Sequence, residues 1–266
     1  SSRDAAPDPG MRPARRPSWG REAFWPRPGE RDPGAALAPN PSLGHREPMA
    51  NATDPDTAEP STRGQGLAVG EDGRVRCAWG IHPDIYRTYH DTEWGRPVTD
   101  ERAIFEKLCL EGFQAGLSWL TILSKRPAFR ERFDGFDPEV VAAWGESEVE
   151  AALGDAGIVR NRAKVEATVG NARATLDLWV AGDSLSELLW SCGGASGSSP
   201  EAALPEATAL SKALKKRGFR FVGPTTVYST LQSLGVVNDH PARCWVHADC
   251  QAEQDRARGR LADSTG

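Results

Sequence analysis

Apolar positions recur at helical spacing through most of the chain beyond residue 74 and are nearly absent before it. Ile104, Phe105, Leu108 and Cys109 share one helix face, with Thr99 or Asp100 where an N-cap belongs. Gly112 is expected to end or bend that helix. A second is predicted over about 117–125, bounded by Pro127. Phe129, Phe133 and Phe136 keep near-helical spacing, and Asp137-Pro138 opens a helix with Val140, Val141 and Trp144 as its core face. Helices over 148–153 and 163–178 flank a glycine-containing hairpin, and 185–190 forms a short apolar helix. Residues 191–205 read as a flexible loop, 210–217 as a basic helix, and 225–234 as a final helix capped by Thr225 or Thr226 and stopped by Gly235. No stretch alternates convincingly with a two-residue period, and no internal repeat is present. The predicted fold class is all-α, a compact bundle of short helices.

Composition sets the boundaries. Hydrophobic residues make up 39% of the 266, below a typical globular average, and the 20 prolines and 27 glycines are unevenly spread. Residues 1–73 are rich in Pro, Gly and Arg and cannot bury enough surface to offset ordering entropy, so a disordered tail is expected there. One domain over 74–250 follows, then a polar C-terminal tail, 251–266, expected to fray. No apolar run is long enough for a membrane span, and no secretion signal is visible. Five cysteines without a disulfide-framework spacing fit a reduced, cytoplasmic protein. The net charge of −5 argues only mildly against nucleic acid, because binding needs a local basic face.

Three stretches carry chemistry. In 108–123, LCLEGFQAGLSWLTIL, Glu111 and Gln114 interrupt an apolar run beside Trp119. A carboxylate there is expensive to bury unless something pairs with it. It is either a glutamate exposed at a helix end or the acid on a pocket floor that reads a ligand. His240 and Cys244 have the spacing of half a zinc site, and Cys77 and His90 are the natural second half. His82, His247 and Cys250 compete as ligands, and a Cys77–Cys244 disulfide is the other alternative. A closed Cys2His2 site would tie the two ends of the domain together and would stabilise rather than catalyse. The hairpin carries Gly157, Arg160, Arg162 and Lys164, a pattern that can offer N–H groups and charge to a phosphate. Lys212, Lys215, Lys216, Arg217 and Arg220 form a second basic cluster. Both clusters could equally be solvated helix faces.

Taken together, RCAWG (76–80), YHDTEWGRPVTD (89–100), CLEGFQAGLSW (109–119), GIVRNRAKVEATVGNA (157–172), ALSKALKKRGFRFVGPTTVYS (209–229) and VNDHPARC (237–244) closely resemble the DNA-3-methyladenine glycosylase I family of helix-hairpin-helix DNA glycosylases. The resemblance covers about 74–250. It implies one structural zinc ion on Cys77, His90, His240 and Cys244. It implies a base pocket of Tyr86, Tyr89, Glu111 and Trp119, with Trp79 and Trp94 shaping it and Glu111 as the catalytic residue. The implied reaction flips out 3-methyladenine from alkylated double-stranded DNA and removes it by hydrolysis, leaving an abasic site. A monomer is expected to act on DNA. No lysine stands out as a Schiff-base nucleophile. Two other readings are a helix-hairpin-helix DNA-binding module without catalysis and a zinc-dependent hydrolase with an open metal position.

Overall fold

The computed structural model describes residues 66–192 and 200–264. The expectations for residues 1–65 of the tail and 193–199 of the loop lie outside the described residues. The ordered part starts earlier than residue 74, with a strand the sequence pattern did not announce. β1 (Leu67–Val69) pairs antiparallel with β2 (Val75–Cys77), Leu67 opposite Cys77. Three-residue strands are too short for alternation to register. The hairpin is tied to the far end of the domain by Trp245 N–H, which donates to the Val75 carbonyl at 2.9 Å.

The rest is helical: among the described residues, α1 (Asp84–Thr92), α2 (Glu101–Gln114), α3 (Trp119–Arg132), α4 (Pro138–Ala142), α5 (Glu146–Gly154), α6 (Arg162–Val180), α7 (Leu185–Trp190), α8 (Pro200–Lys216), α9 (Pro224–Ser233) and α10 (His247–Ser264). The Asp100 carboxylate caps α2, accepting from Ala103 N–H at 2.9 Å. α2 is buried without interruption from Ile104 to Phe113, on all its faces. A helix buried on every face lies inside a domain, and α2, despite its charged Glu106, Lys107 and Glu111, packs against α3, α6, α7 and α9. Gly112 neither ends nor breaks it. Burial on every side outweighs the propensity cost of one glycine, about 1 kcal/mol.

Several boundaries differ from the sequence pattern. α3 passes through Pro127 to Arg132, because buried Arg126 and Phe129 hold the turns on both sides. Val140 is exposed, whereas Val141 and Trp144 are buried; Trp144 stacks on Phe133 at 4.8 Å. α8 begins at Pro200, inside the expected loop. α9 is capped by Gly223 with Pro224 in its first turn, not by Thr225 or Thr226. Beyond Cys250 the chain does not fray but continues as α10. Its polar composition hides its anchors: Cys250 and Ala257 are buried, Gln254 Nε2 donates to Gly95 O at 2.8 Å, and Arg258 donates to the carbonyls of Cys192 and Val236.

Charges are also built into the core. The Arg126 guanidinium donates to Glu106 at 2.6 Å and to Glu93 at 2.8 Å. Lys107 Nζ reaches Glu93 at 2.6 Å, and Arg130 reaches Glu106 at 2.8 Å. Its neighbours Lys107 and Arg126 hold the Glu93 carboxyl well below the usual carboxylate range, against a burial that pushes it up. Removing one member leaves the others buried and under-paired. Glu106→Ala is expected to destabilise the domain by roughly 3–5 kcal/mol, read as a lowered urea midpoint at unchanged slope.

Candidate active site and metal centre

Four ligand atoms converge where β2, α1 and the 237–244 loop meet. Cys77, His90, His240 and Cys244 are all buried, and their ligating atoms lie within 4.8 Å of one another. Cys244 Sγ is 3.4 Å from His90 Nε2 and 3.5 Å from His240 Nδ1, and Cys77 Sγ is 3.6 Å from His240 Nδ1. Gly80 makes room for this, since a Cβ there would lie 2.6 Å from the His90 ring. The two thiols face each other across the cluster. That contact holds Cys244 well below the ordinary thiol range and pushes Cys77 up. The rival ligands fall away: His82 is exposed, His247 Nδ1 pairs with the His240 carbonyl at 2.7 Å, and Cys250 is outside the cluster. Cys77 and Cys244 are free thiols, not a disulfide.

A second layer orients the rings. His90 Nδ1 lies 2.8 Å from Asp91 Oδ1, and His240 Nε2 lies 3.0 Å from the Trp94 carbonyl. If each of these nitrogens carries the proton, the opposite one turns its lone pair to the cluster. Asp91 is itself fixed by Arg76 Nε at 2.9 Å and Trp245 Nε1 at 3.1 Å. The buried set can hold a metal ion. Asp91→Asn is expected to weaken metal affinity about 10- to 100-fold, measured by competition with a chromophoric chelator.

An aromatic cluster joins this centre to the α1–α2–α3 junction. Tyr86, Tyr89 and His90 recur at helical spacing along α1, so one side of that helix faces both. Trp79 stands between, with ring centroids 5.2 Å from His90, 5.8 Å from Tyr86 and 5.0 Å from Trp94. Tyr89 lies 5.6 Å from Trp119, which opens α3 behind the Ser118 cap. Lys107 Nζ is 5.6 Å from the centroid of the Tyr89 ring. Glu111 follows Lys107 by one helical turn on the same side of α2 and is 4% exposed. Glu111 is thus a buried acid, not one exposed at a helix end. Trp79 Nε1 is buried with no hydrogen-bond partner among the described residues. Between α2 and α3, Gly116 has φ +78° and Leu117 is 40% exposed, an apolar tip that sequence periodicity did not single out.

The hairpin between α5 and α6 is braced from inside. Gly157 N–H donates to Asp155 at 2.7 Å, Lys125 Nζ donates to the carbonyls of Ala156 and Gly157, and Asn161 caps α6. A Cβ at Gly157 would meet Ala128 at 2.8 Å, so packing on α3 by itself requires glycine. The basic residues do not share one fate. Arg160 is exposed. Arg162 is engaged by Glu146 at 2.9 Å and by Glu150. Lys164 is buried and turned inward, its Nζ donating to the carbonyls of Phe113 at 2.8 Å and Ala115 at 2.5 Å. The phosphate contact expected of Lys164 gives way to a clamp on the last turn of α2, where unsatisfied carbonyls attract a cation.

With this geometry in place, known proteins provide the comparison. The sequence profile described as methyladenine glycosylase matches residues 79–247. DNA-3-methyladenine glycosylase 1 of Escherichia coli (strain K12) is 48% identical over 177 residues, covering 64% of this chain and 95% of the relative. The DNA-3-methyladenine glycosylase of Haemophilus influenzae (strain ATCC 51907 / DSM 11121 / KW20 / Rd) is 45% identical over 178 residues, covering 64% and 96%. Among solved structures, a single-residue variant of 3-methyladenine DNA glycosylase I in complex with 3-methyladenine superposes with a TM-score of 0.60 at 38% identity, covering 65% of this chain and 97% of the other. Profile, sequence and fold agree, the profile spanning the aromatic junction and three of the four ligands, His90, His240 and Cys244, and the chain belongs to the methyladenine glycosylase family.

Proposed function

We infer that the protein is a DNA-3-methyladenine glycosylase that removes 3-methyladenine from alkylated DNA. The observation that carries the reading is Glu111, a carboxylate buried one helical turn from Lys107, whose Nζ lies 5.6 Å from the Tyr89 ring, in a member of this family. An adenine methylated at N3 and still bonded to the sugar carries a positive charge. As the glycosidic bond breaks, its electron pair moves onto the base, which leaves neutral, and the sugar carbon becomes cationic. Water adds to that carbon and loses a proton, giving an abasic site and free 3-methyladenine. The base is therefore already a good leaving group, and the protein's task is to extrude, hold and distinguish it.

In this reading Glu111 accepts hydrogen bonds from the adenine edge and favours the charged base. Tyr89 and Trp119 give it aromatic faces, with a cation–π gain of roughly 0.5–2 kcal/mol. Tyr86 closes the wall beside Trp79. Glu111 acts by recognition and transition-state stabilisation, and no residue is assigned as general base. Exposed Leu117, between the pocket helix and Trp119, is suited to fill the gap left in the duplex by the extruded base. Arg160 of the braced hairpin is the proposed phosphate contact, with Arg162 beside it, while Gly157, whose N–H is taken by Asp155, shapes the turn.

For the metal we propose zinc. A tetrahedron with Zn–S of about 2.3 Å and Zn–N of about 2.0 Å has S···N edges of about 3.5 Å. The three measured S···N separations span 3.4–3.6 Å. Two thiols and two imidazoles suit that ion, and four protein ligands leave no position for an activated water. That argues for a structural role and against a zinc hydrolase. A monomer in a reducing, cytoplasmic compartment completes the reading. Incubation with methylated duplex DNA tests it: chromatography should resolve free 3-methyladenine, with the strand left uncleaved. A folded protein that binds the duplex and releases no base would favour the non-catalytic DNA-binding module instead.

A further inference from the structure

Of the second basic cluster, one member differs from the rest. Lys212, Lys215 and Lys216 are exposed on or near the last turns of α8, and Arg217 faces Asp183 at 3.5 Å. Arg220 lies on the turn between α8 and α9. Its backbone is gripped at both ends by one side chain: Arg220 N–H donates to Asn171 Oδ1 at 2.7 Å, and Asn171 Nδ2 donates to the Arg220 carbonyl at 3.1 Å. Phe221 follows with φ +55°, a left-handed conformation that non-glycine residues rarely adopt. Such strain persists only where the surroundings over-determine it, and it clusters at functional sites. Arg220 itself is exposed, and its guanidinium has no carboxylate partner among the described residues.

The turn is also well placed. Phe221 lines a small cavity together with Gly112, Phe113, Lys164 and Asn171, so it abuts the end of the helix that carries Glu111. Lys164, which clamps Phe113 and Ala115, stands in the first turn of α6 beside the hairpin. Asn171 lies two turns further along the same face, about 10 Å by helix rise. That is about three phosphate steps of one strand. The hairpin end of α6 and the Arg220 turn therefore both border the end of α2 that leads towards Leu117, spaced along α6.

We propose that Arg220 is a second DNA-phosphate anchor, a positioning residue that holds the backbone a few phosphates away from the hairpin contact, further along α6. The inference rests on the DNA glycosylase reading above. Its role would be to resist rotation of the duplex about the hairpin contact while a base is extruded, without reading sequence.

The test is the salt dependence of duplex binding for the full chain and for Arg220→Gln, Arg220→Lys and Arg160→Gln. Tryptophan fluorescence reports binding of free 3-methyladenine in parallel. One lost phosphate contact lowers the slope of log affinity against log salt by about 0.9 and weakens binding about eightfold at 0.1 M salt. Arg220→Gln should show both changes, Arg220→Lys should keep the wild-type slope, and free-base binding should be unchanged in both. A merely structural arginine would not move the slope. If Arg160→Gln lowers the slope and Arg220→Gln does not, the anchor is overturned while the DNA reading stands. If the wild type shows no salt-dependent duplex binding, the DNA reading fails and the anchor with it.

Discussion

Glu111→Gln is expected to lower 3-methyladenine release from alkylated duplex DNA by about a hundredfold, while folding and metal content stay unchanged. The change keeps size and shape and removes the charge. The amide also offers a donor where the carboxylate offered only acceptors, so one contact to the adenine edge reverses sign. A hydrogen bond to a charged group contributes about 1.5–3 kcal/mol, which is about 10- to 150-fold in rate. The buried position puts the effect near the upper end, because water does not compensate at a carboxylate 4% exposed. Single-turnover release at saturating enzyme separates this from a loss of DNA affinity, which should be small because Glu111 is remote from the hairpin's Arg160 in sequence and role. A Glu111→Gln protein with wild-type release would remove Glu111 from the mechanism.

The second large effect is expected from the metal centre. Its ligands join parts of the chain that are far apart: 163 residues separate Cys77 from His240, and 154 separate His90 from Cys244. A cross-link closing a loop of that length contributes about 5 kcal/mol on the chain-entropy scale used for disulfides. For a domain of this size that corresponds to a fall of about 10–20 °C in Tm. Stripping the metal with a strong chelator, or making Cys244→Ser, should produce that fall in calorimetry. Activity per folded molecule should persist at low temperature. An unchanged Tm would contradict a closed structural site, and activity that follows the identity of a replacement metal would indicate a catalytic one.

The physical reasons why some features were legible in the sequence are specific. Asp100 as cap, the apolar run of α2, and His240 and Cys244 as half of a metal site could be read from residue type and spacing, while the full set with Cys77 and His90 also drew on the family resemblance. Each depends on local geometry or on a chemistry that few residue types serve. Lys164 could not be read this way. A lysine after two arginines resembles a solvated run, and the carbonyls that capture it belong to Phe113 and Ala115, in another helix. α10 was obscured for a related reason: its anchors, such as Gln254 to Gly95 and Arg258 to Val236, are polar contacts across the fold that leave no apolar period. The β1–β2 hairpin was too short to show alternation. Pro127 marks a boundary by sequence because a proline removes one helical donor, but the ion pairs of Arg126 and Arg130 with Glu106 hold α3 together around it. Leu117 and Asp91 carry no sequence signal, because exposure and second-layer contacts are properties of the folded chain alone.

The central claim is that this fold presents a pocket that excises a cationic base from DNA. The most direct test is chromatographic detection of bases released from methylated duplex DNA by the metal-loaded protein, with Glu111→Gln alongside. The account predicts free 3-methyladenine from the wild type, an intact strand bearing abasic sites, and about a hundredfold slower release from the variant. No released base from a folded, duplex-binding wild type would contradict it.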